Sequence, residues 1–248
     1  MRAAVVLVAV ALFSASCDAD DSAPDADVTV FAAASLTAAF TELGDAFVTA
    51  HPDAQVRFNF AGSSELVAPI RDGAPADVFA SADETNMEKL TDAGGGVGEP
   101  VVFATNAAEI VVESGNPEAI RSVRDLVDDG LVVVQCAEEV PCGAYARQVF
   151  ATAGVDVEPR SFEANVNAVV AKVSLGEADA GVVYRTDVLA AGDEADGVVI
   201  PDEINVMAQY PIAVTTSAPN PAGASEFVDF VLGGAGQEIL ATYGFGAP

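Results

Sequence analysis

The sequence predicts an α/β protein: a mostly parallel sheet with helices on both faces. Two observations carry this. From Asp27 onward, apolar runs of strand length alternate with stretches whose apolar residues recur at helical spacing. Half of the 248 residues are hydrophobic, enough for one large domain or two lobes of roughly 100–120 residues each.

Val28–Ala32 reads as a buried strand, followed by a helix with Leu36, Phe40, Leu43 and Phe47 on one face. Val56, Phe58 and Phe60 alternate as a strand does, and a helix carrying Leu66, Val67 and Ile70 follows, with Pro69 inside it. Asp77–Ser81 is a third strand, after which Asp83 can cap a helix through Leu90 that ends at Gly94–Gly96. Ile110–Glu113 and Leu131–Gln135 are strands with a helix around Val123–Val127 between them. Tyr145, Ala146, Val149 and Phe150 mark the next helix; Val166, Val169, Val170 and Val173 mark another, stopped by Gly176. Ala180–Tyr184, Val198–Ile200 and Pro211–Thr215 are strands, and helices around Ser225–Leu232 and Ala235–Tyr243 close the chain. No repeat of fixed period is present.

Residues 1–16 have the pattern of a signal peptide: Arg2, an apolar run from Ala3 to Phe13, then small residues. The run is shorter than the ~20 apolar residues a spanning helix needs. Cys17 after those small residues reads as the acylated cysteine of a lipoprotein signal, although Ser14 stands where Leu is usual. Ordinary cleavage nearby is the alternative. Residues 17–26 are acidic and aperiodic and read as a tether.

Against 38 acidic residues stand 10 basic ones, for a net charge of −28, and Lys89 and Lys172 are the only lysines. Such a chain repels nucleic acid. His51 is the only histidine, next to Pro52, and reads as a surface residue. It offers no convincing base for a serine triad, and a direct metal centre lacks ligands. With an export signal, Cys136 and Cys142 favour a disulfide over a metal site, with two free thiols as the alternative.

In open α/β sheets ligands sit beyond the carboxyl ends of the strands, where helices begin. Three such junctions share a chemistry. Phe31-Ala32-Ala33-Ala34-Ser35-Leu36 enters a helix with Ser35 at the cap. Phe60-Ala61-Gly62-Ser63-Ser64-Glu65 does so with paired serines, and Pro141-Cys142-Gly143-Ala144-Tyr145 opens a third helix. Each offers unpaired backbone N–H groups, small side chains and the positive end of a helix dipole, the combination that binds phosphate-like anions without a cationic side chain. Taken singly, a serine at a helix start is an ordinary cap.

These segments, with Gly73-Ala74-Pro75-Ala76-Asp77-Val78-Phe79-Ala80-Ser81-Ala82-Asp83, Gly181-Val182-Val183-Tyr184, Tyr210-Pro211-Ile212-Ala213-Val214 and Tyr243-Gly244-Phe245, resemble the periplasmic molybdate-binding proteins of ABC importers. The resemblance spans everything after the tether. It implies a two-lobed periplasmic-binding-protein-like fold (type II), each lobe a mostly parallel sheet flanked by helices, with the ligand in the cleft. Residues 27–107 and 208–248 would form lobe I, and 108–207 lobe II. It also implies a site in which Ser35 and Ser63 each give a backbone N–H and a hydroxyl, Cys142 and Val166 each a backbone N–H, and Tyr184 its phenol. Two departures stand out: Cys142 occupies a position where Ala is familiar, and Glu163-Ala164-Asn165-Val166-Asn167 lacks the usual Asp-Val-Arg.

The expected function is therefore capture of molybdate or tungstate and delivery to an ABC permease, by an exported, membrane-anchored monomer without cofactor or enzymatic activity. Another tetrahedral oxyanion (sulfate, phosphate, thiosulfate) is the alternative ligand, and a secreted serine hydrolase using Ser35 or Ser63 the remote one. A site of N–H and O–H donors suits a fully deprotonated dianion, because a protonated one brings a hydrogen with no acceptor, at about 1–3 kcal/mol.

Overall fold

The computed structural model describes residues 27–91 and 96–248. The signal-peptide, Cys17 and tether readings lie outside the described residues, as do Gly94 and Gly95. Among the described residues no helix is long and apolar enough to cross a membrane.

Among the described residues nine strands form one mixed sheet in the order β2-β1-β3-β9-β4-β7-β5-β6, with β8 also paired to β4. β1 (Asp27–Ala33) runs parallel to β2 (Gln55–Ala61) on one side and β3 (Val78–Ala80) on the other. That central place explains why β1 is apolar on both faces: Val28 and Val30 enter the main core, while Phe31 packs with Phe79 on the opposite face. The edge strand β2 instead alternates, with Val56, Phe58 and Phe60 turned inward and Gln55, Arg57 and Asn59 exposed.

β4 (Val101–Glu113) ties the sheet together. Its first part, Val101–Ala107, pairs antiparallel with β9 (Met207–Val214), and β9 pairs antiparallel with β3. From Ala108 on, β4 pairs antiparallel with β7 (Ala180–Tyr184) and β8 (Ala195–Val199). β5 (Val133–Cys136) then joins β7 to β6 (Ser161–Glu163) in parallel. The sheet is therefore parallel toward each end and antiparallel where β4 and β9 cross between them.

The flanking helices are α1 (Thr37–Ala50), α2 (Ser63–Arg71), α3 (Glu84–Thr91), α4 (Pro141–Ala153), α5 (Val166–Ser174), α6 (Arg185–Ala191), α7 (Pro221–Leu232) and α8 (Gly234–Thr242). α1 seats Phe40 and Phe47 against Phe227 of α7, each buried ring contributing about 2–3 kcal/mol. Asp83 caps α3 as expected, its Oδ1 accepting from Asn86 N at 3.0 Å. Pro69 lies near the end of α2, two residues before it stops.

Other expectations change. The segment Val123–Val127 is a 3-10 turn, not an α-helix. β4 begins nine residues before Ile110, and β6 and α6 add elements that periodicity had not marked. Ser35 is not a cap. It lies inside a 3-10 turn, Ala34–Leu36, whose N-cap is Ala33. The N-cap of α2 is Gly62, and Ser63 is the first helical residue.

Candidate functional site

Five chain passages deliver helix starts to one place. β1 leads through the 3-10 turn into α1, β2 into α2, β5 through the cysteine loop into α4, β6 into α5, and β7 directly into α6. A small cavity of about 10 Å³ lies among them, and Ser35, Ser63, Cys142, Val166 and Tyr184 all line it, with Gly62, Ala82 and Asn165 between. None of its lining side chains carries a charge. A larger groove of about 1030 Å³ opens beside it between α1, α5 and α6 and shares Ala34 and Ser35. Asp187, Asp193 and Glu194 line that groove, so the small cavity is the one whose electrostatics suit an anion.

Because neither serine caps its helix, both hydroxyls remain available. Ser63 Oγ accepts a hydrogen bond from Ala82 N at 3.0 Å. A backbone N–H can only donate, so the Ser63 proton is left to point elsewhere. Ser35 Oγ lies 2.9 Å from the Tyr210 hydroxyl. Near Gly62, Glu65 Oε2 accepts from the Gly62 N–H at 3.2 Å, leaving the Ser63 and Ser64 N–H groups as helix-start donors.

Cys142 is the second residue of α4 and is joined to Cys136 by a disulfide. The bridge and the close approach of Gly143, where a Cβ would stand 2.1 Å from the Ala137 carbonyl oxygen, hold the start of α4 against the end of β5. Val166 is the first residue of α5, and its N-cap Asn165 accepts from Ala168 N at 3.1 Å. Asn167, next along, donates from Nδ2 to Ala34 O at 3.2 Å and Thr37 Oγ1 at 3.4 Å, linking α5 to the first turn after β1.

Tyr184 ends β7 and is buried, yet its hydroxyl has no hydrogen-bond partner among the described residues. Burial, reinforced by Tyr210, Tyr145, Asp83 and Asp187, holds its pKa well above the usual phenol value, so it stands as a neutral donor. Tyr145 meets the Tyr184 ring edge-on at 6.2 Å.

Both lysines are committed elsewhere. Lys172 Nζ binds Glu163 Oε1 at 2.6 Å, and Lys89 Nζ donates to Asn86 Oδ1 at 2.8 Å. His51 follows the C-terminal end of α1, stacked on Phe47 at 4.4 Å and 3.8 Å from Glu226. A helix of 14 residues puts it about 20 Å along the axis from Ser35, so it cannot serve as that serine's base. No cluster suited to hold a metal ion occurs among the described residues. What the cavity can do chemically is donate hydrogen bonds from several directions to something small and negative.

Three contributors carried no local sign in the sequence. From the crossing strands Tyr210 reaches Ser35 and Asn106 reaches Tyr210, and Ala82 positions Ser63.

A two-lobed α/β frame whose helix starts converge on an uncharged donor cavity is the type II periplasmic-binding-protein arrangement. The chain belongs to the family of bacterial extracellular solute-binding proteins, which it matches over residues 28–246. It is 44% identical over 221 residues to the molybdate-binding protein ModA of Mycobacterium tuberculosis H37Rv, covering 89% of this chain and 85% of that one. To the molybdate-binding protein ModA of Escherichia coli K12 it is 30% identical over 238 residues, covering 90% of each. Among solved structures, the periplasmic molybdate-binding protein of Azotobacter vinelandii superposes with a TM-score of 0.77 at 21% identity, over 89% of this chain and 99% of that one. The family binds solutes outside the cytoplasm and is not one of enzymes.

Proposed function

We propose that this chain captures molybdate or tungstate and delivers it to the membrane permease of an ABC importer. The observation that carries this reading is the buried, partnerless Tyr184 hydroxyl at a cavity shared with both serines. Ser35 and Ser63 each supply a backbone N–H and a hydroxyl, Cys142 and Val166 each a backbone N–H, and Tyr184 its phenol. The similarity to molybdate-binding proteins supports the choice of anion. Residues 27–107 with 208–248 form lobe I and 108–207 lobe II, with β4 and β9 as the straps between them; the change of β4 partners at Ala107/Ala108 supports that division. The chain acts as a monomer held to the membrane through an acylated Cys17.

Calorimetric titration with molybdate, tungstate, sulfate, hydrogen phosphate and thiosulfate tests the reading. Molybdate and tungstate are expected to bind and to raise the melting temperature, by about 2.7 kcal/mol of stability at a hundredfold excess over Kd. Neither heat nor a melting shift with those two at millimolar concentration refutes it.

A further inference from the structure

Ser63 has its hydrogen-bond direction fixed by a backbone N–H. Ser35 has no such donor; its partner is a second hydroxyl, which could give or take the proton. What decides the direction lies one step further back, on the crossing strands.

Asn106 of β4 is 3% exposed and Tyr210 of β9 fully buried. Ala104 faces Tyr210 and Asn106 faces Ala208 in the ladder, so Asn106 and Tyr210 are diagonal cross-strand neighbours. The orientation of the Asn106 amide is set by its own surroundings. Its Oδ1 accepts from Ala107 N at 3.0 Å, which leaves the NH2 end to face the hydroxyls. From there Nδ2 donates to Thr186 Oγ1 at 2.8 Å and to the Tyr210 oxygen at 3.4 Å. An amide nitrogen has nothing to accept with. Tyr210 therefore receives from Asn106 and turns its own proton to Ser35, and Ser35, receiving, turns its proton toward the cavity. The Tyr210 ring is wedged edge-on against Phe103, Tyr184 and Phe245, so the phenol cannot swing to another partner. Burial keeps it protonated.

Resting on the anion-binding reading of the site, we propose that Asn106 and Tyr210 are positioning residues that set the polarity of Ser35, so that the site shows its ligand only hydrogens. Neither residue touches the anion. Their effect is on selectivity: a ligand bearing its own proton, such as hydrogen phosphate, finds no lone pair at Ser35 to accept it.

Three variants compared at pH 8 by titration with molybdate and hydrogen phosphate test the relay. Tyr210→Phe keeps the ring and removes the hydroxyl, leaving Ser35 unguided; molybdate should bind about 3- to 10-fold more weakly, the worth of one neutral hydrogen bond. Asn106→Asp replaces the donor by an acceptor of the same shape. Tyr210 then turns its proton to the carboxylate, Ser35 donates to Tyr210, and a lone pair faces the anion. Molybdate affinity should fall about 30-fold or more, and the preference for molybdate over hydrogen phosphate should shrink. The double variant N106D/Y210F breaks the chain between the inverted group and Ser35, so it should bind molybdate at least about threefold better than N106D alone. A purely structural or purely Coulombic role predicts the opposite order, and a double variant no better than N106D overturns the relay.

A second measurement needs no ligand and no variant. In the NMR spectrum of the anion-free full chain, the buried Tyr210 hydroxyl proton should cross-relax with the Ser35 β-protons. Absence of that Ser35 contact overturns the relay, whatever the titrations give, whereas the Asn106 amide protons lie near the Tyr210 hydroxyl in either orientation and decide nothing. A wild-type chain that binds neither molybdate nor tungstate refutes the functional reading and leaves the relay to be judged by this spectrum.

Discussion

At the scale of single residues, the site is recognisable by what its groups leave undone. A buried hydroxyl without a partner costs about 1–3 kcal/mol, and Tyr184 carries that cost in the absence of ligand. Tyr184→Phe should therefore melt higher than the wild type without anion yet bind molybdate about tenfold more weakly, the loss of one hydrogen bond to a charged group. Opposite signs in the two assays separate a ligand donor from a packing aromatic; a variant that melts lower and binds equally well would mark Tyr184 as packing only. Asp187 poses a different question. It accepts from Tyr184 N at 2.9 Å, and burial raises its pKa from 3.8 to about 7. The native state then holds this proton at pH values where the unfolded chain has released it. Its contribution to stability is full below about pH 4 and is lost as pH rises through about 7. Asp187→Asn keeps an acceptor for Tyr184 N and has no proton to lose. Melting curves should show the variant gaining on the wild type from pH 4 to 8, with little difference at pH 4. A difference that does not change with pH would contradict the assignment.

At the scale of elements, the site depends on how closely two segments from opposite ends of the sheet approach. A Cβ on Gly62 would stand 2.5 Å from the Ala164 carbonyl oxygen, although its backbone angles, φ −57° and ψ 136°, suit any residue. Glycine is needed there for space, not for conformation. In the proposed division Gly62 and Ala164 belong to different lobes, so an added methyl obstructs only their closure. Gly62→Ala should leave the anion-free melting temperature unchanged and speed molybdate release in stopped-flow; a lowered melting temperature with unchanged release would place the contact within one rigid unit. Junctions of this kind were legible in the sequence because small residues between an apolar run and a helical period leave few alternatives. Ser35 and Ser63 were named that way and by resemblance, Cys142, Val166 and Tyr184 mainly by resemblance, and all five line one cavity. The first half of β4 was not legible: Val101–Ala107 mixes small, polar and apolar residues, and its register against β9 shifts between Val102 and Ala104, which breaks the period of two. α6 was hidden for another reason, since Tyr184 is at once the end of β7 and the N-cap of the helix, with no loop to announce it. Tyr210 and Ser35 are 175 residues apart in sequence, and no local pattern reports such a pair.

At the scale of the whole molecule, a chain of net charge −28 attracting a dianion needs a physical account. One carboxylate 20 Å from the site repels a dianion by about 0.4 kcal/mol in unscreened water. Summed over a net charge of this size the barrier is of order 10 kcal/mol. With a Debye length of about 8 Å at physiological ionic strength, each such interaction falls to about a tenth, and the sum to about 1 kcal/mol. The donors at the cavity act over hydrogen-bond distances, shorter than the Debye length, from an uncharged lining, and bonds to a charged group are each worth about 1.5–3 kcal/mol. Long-range repulsion thus governs approach, and short-range donation governs retention. Stopped-flow with molybdate from about 10 mM to 150 mM salt should show the association rate rising as the Debye length contracts from about 30 to 8 Å, while the dissociation rate stays nearly constant. The reverse, slower capture at higher salt, would mean that a cationic feature steers the anion in, and the neutral-donor account of this site would have to be abandoned.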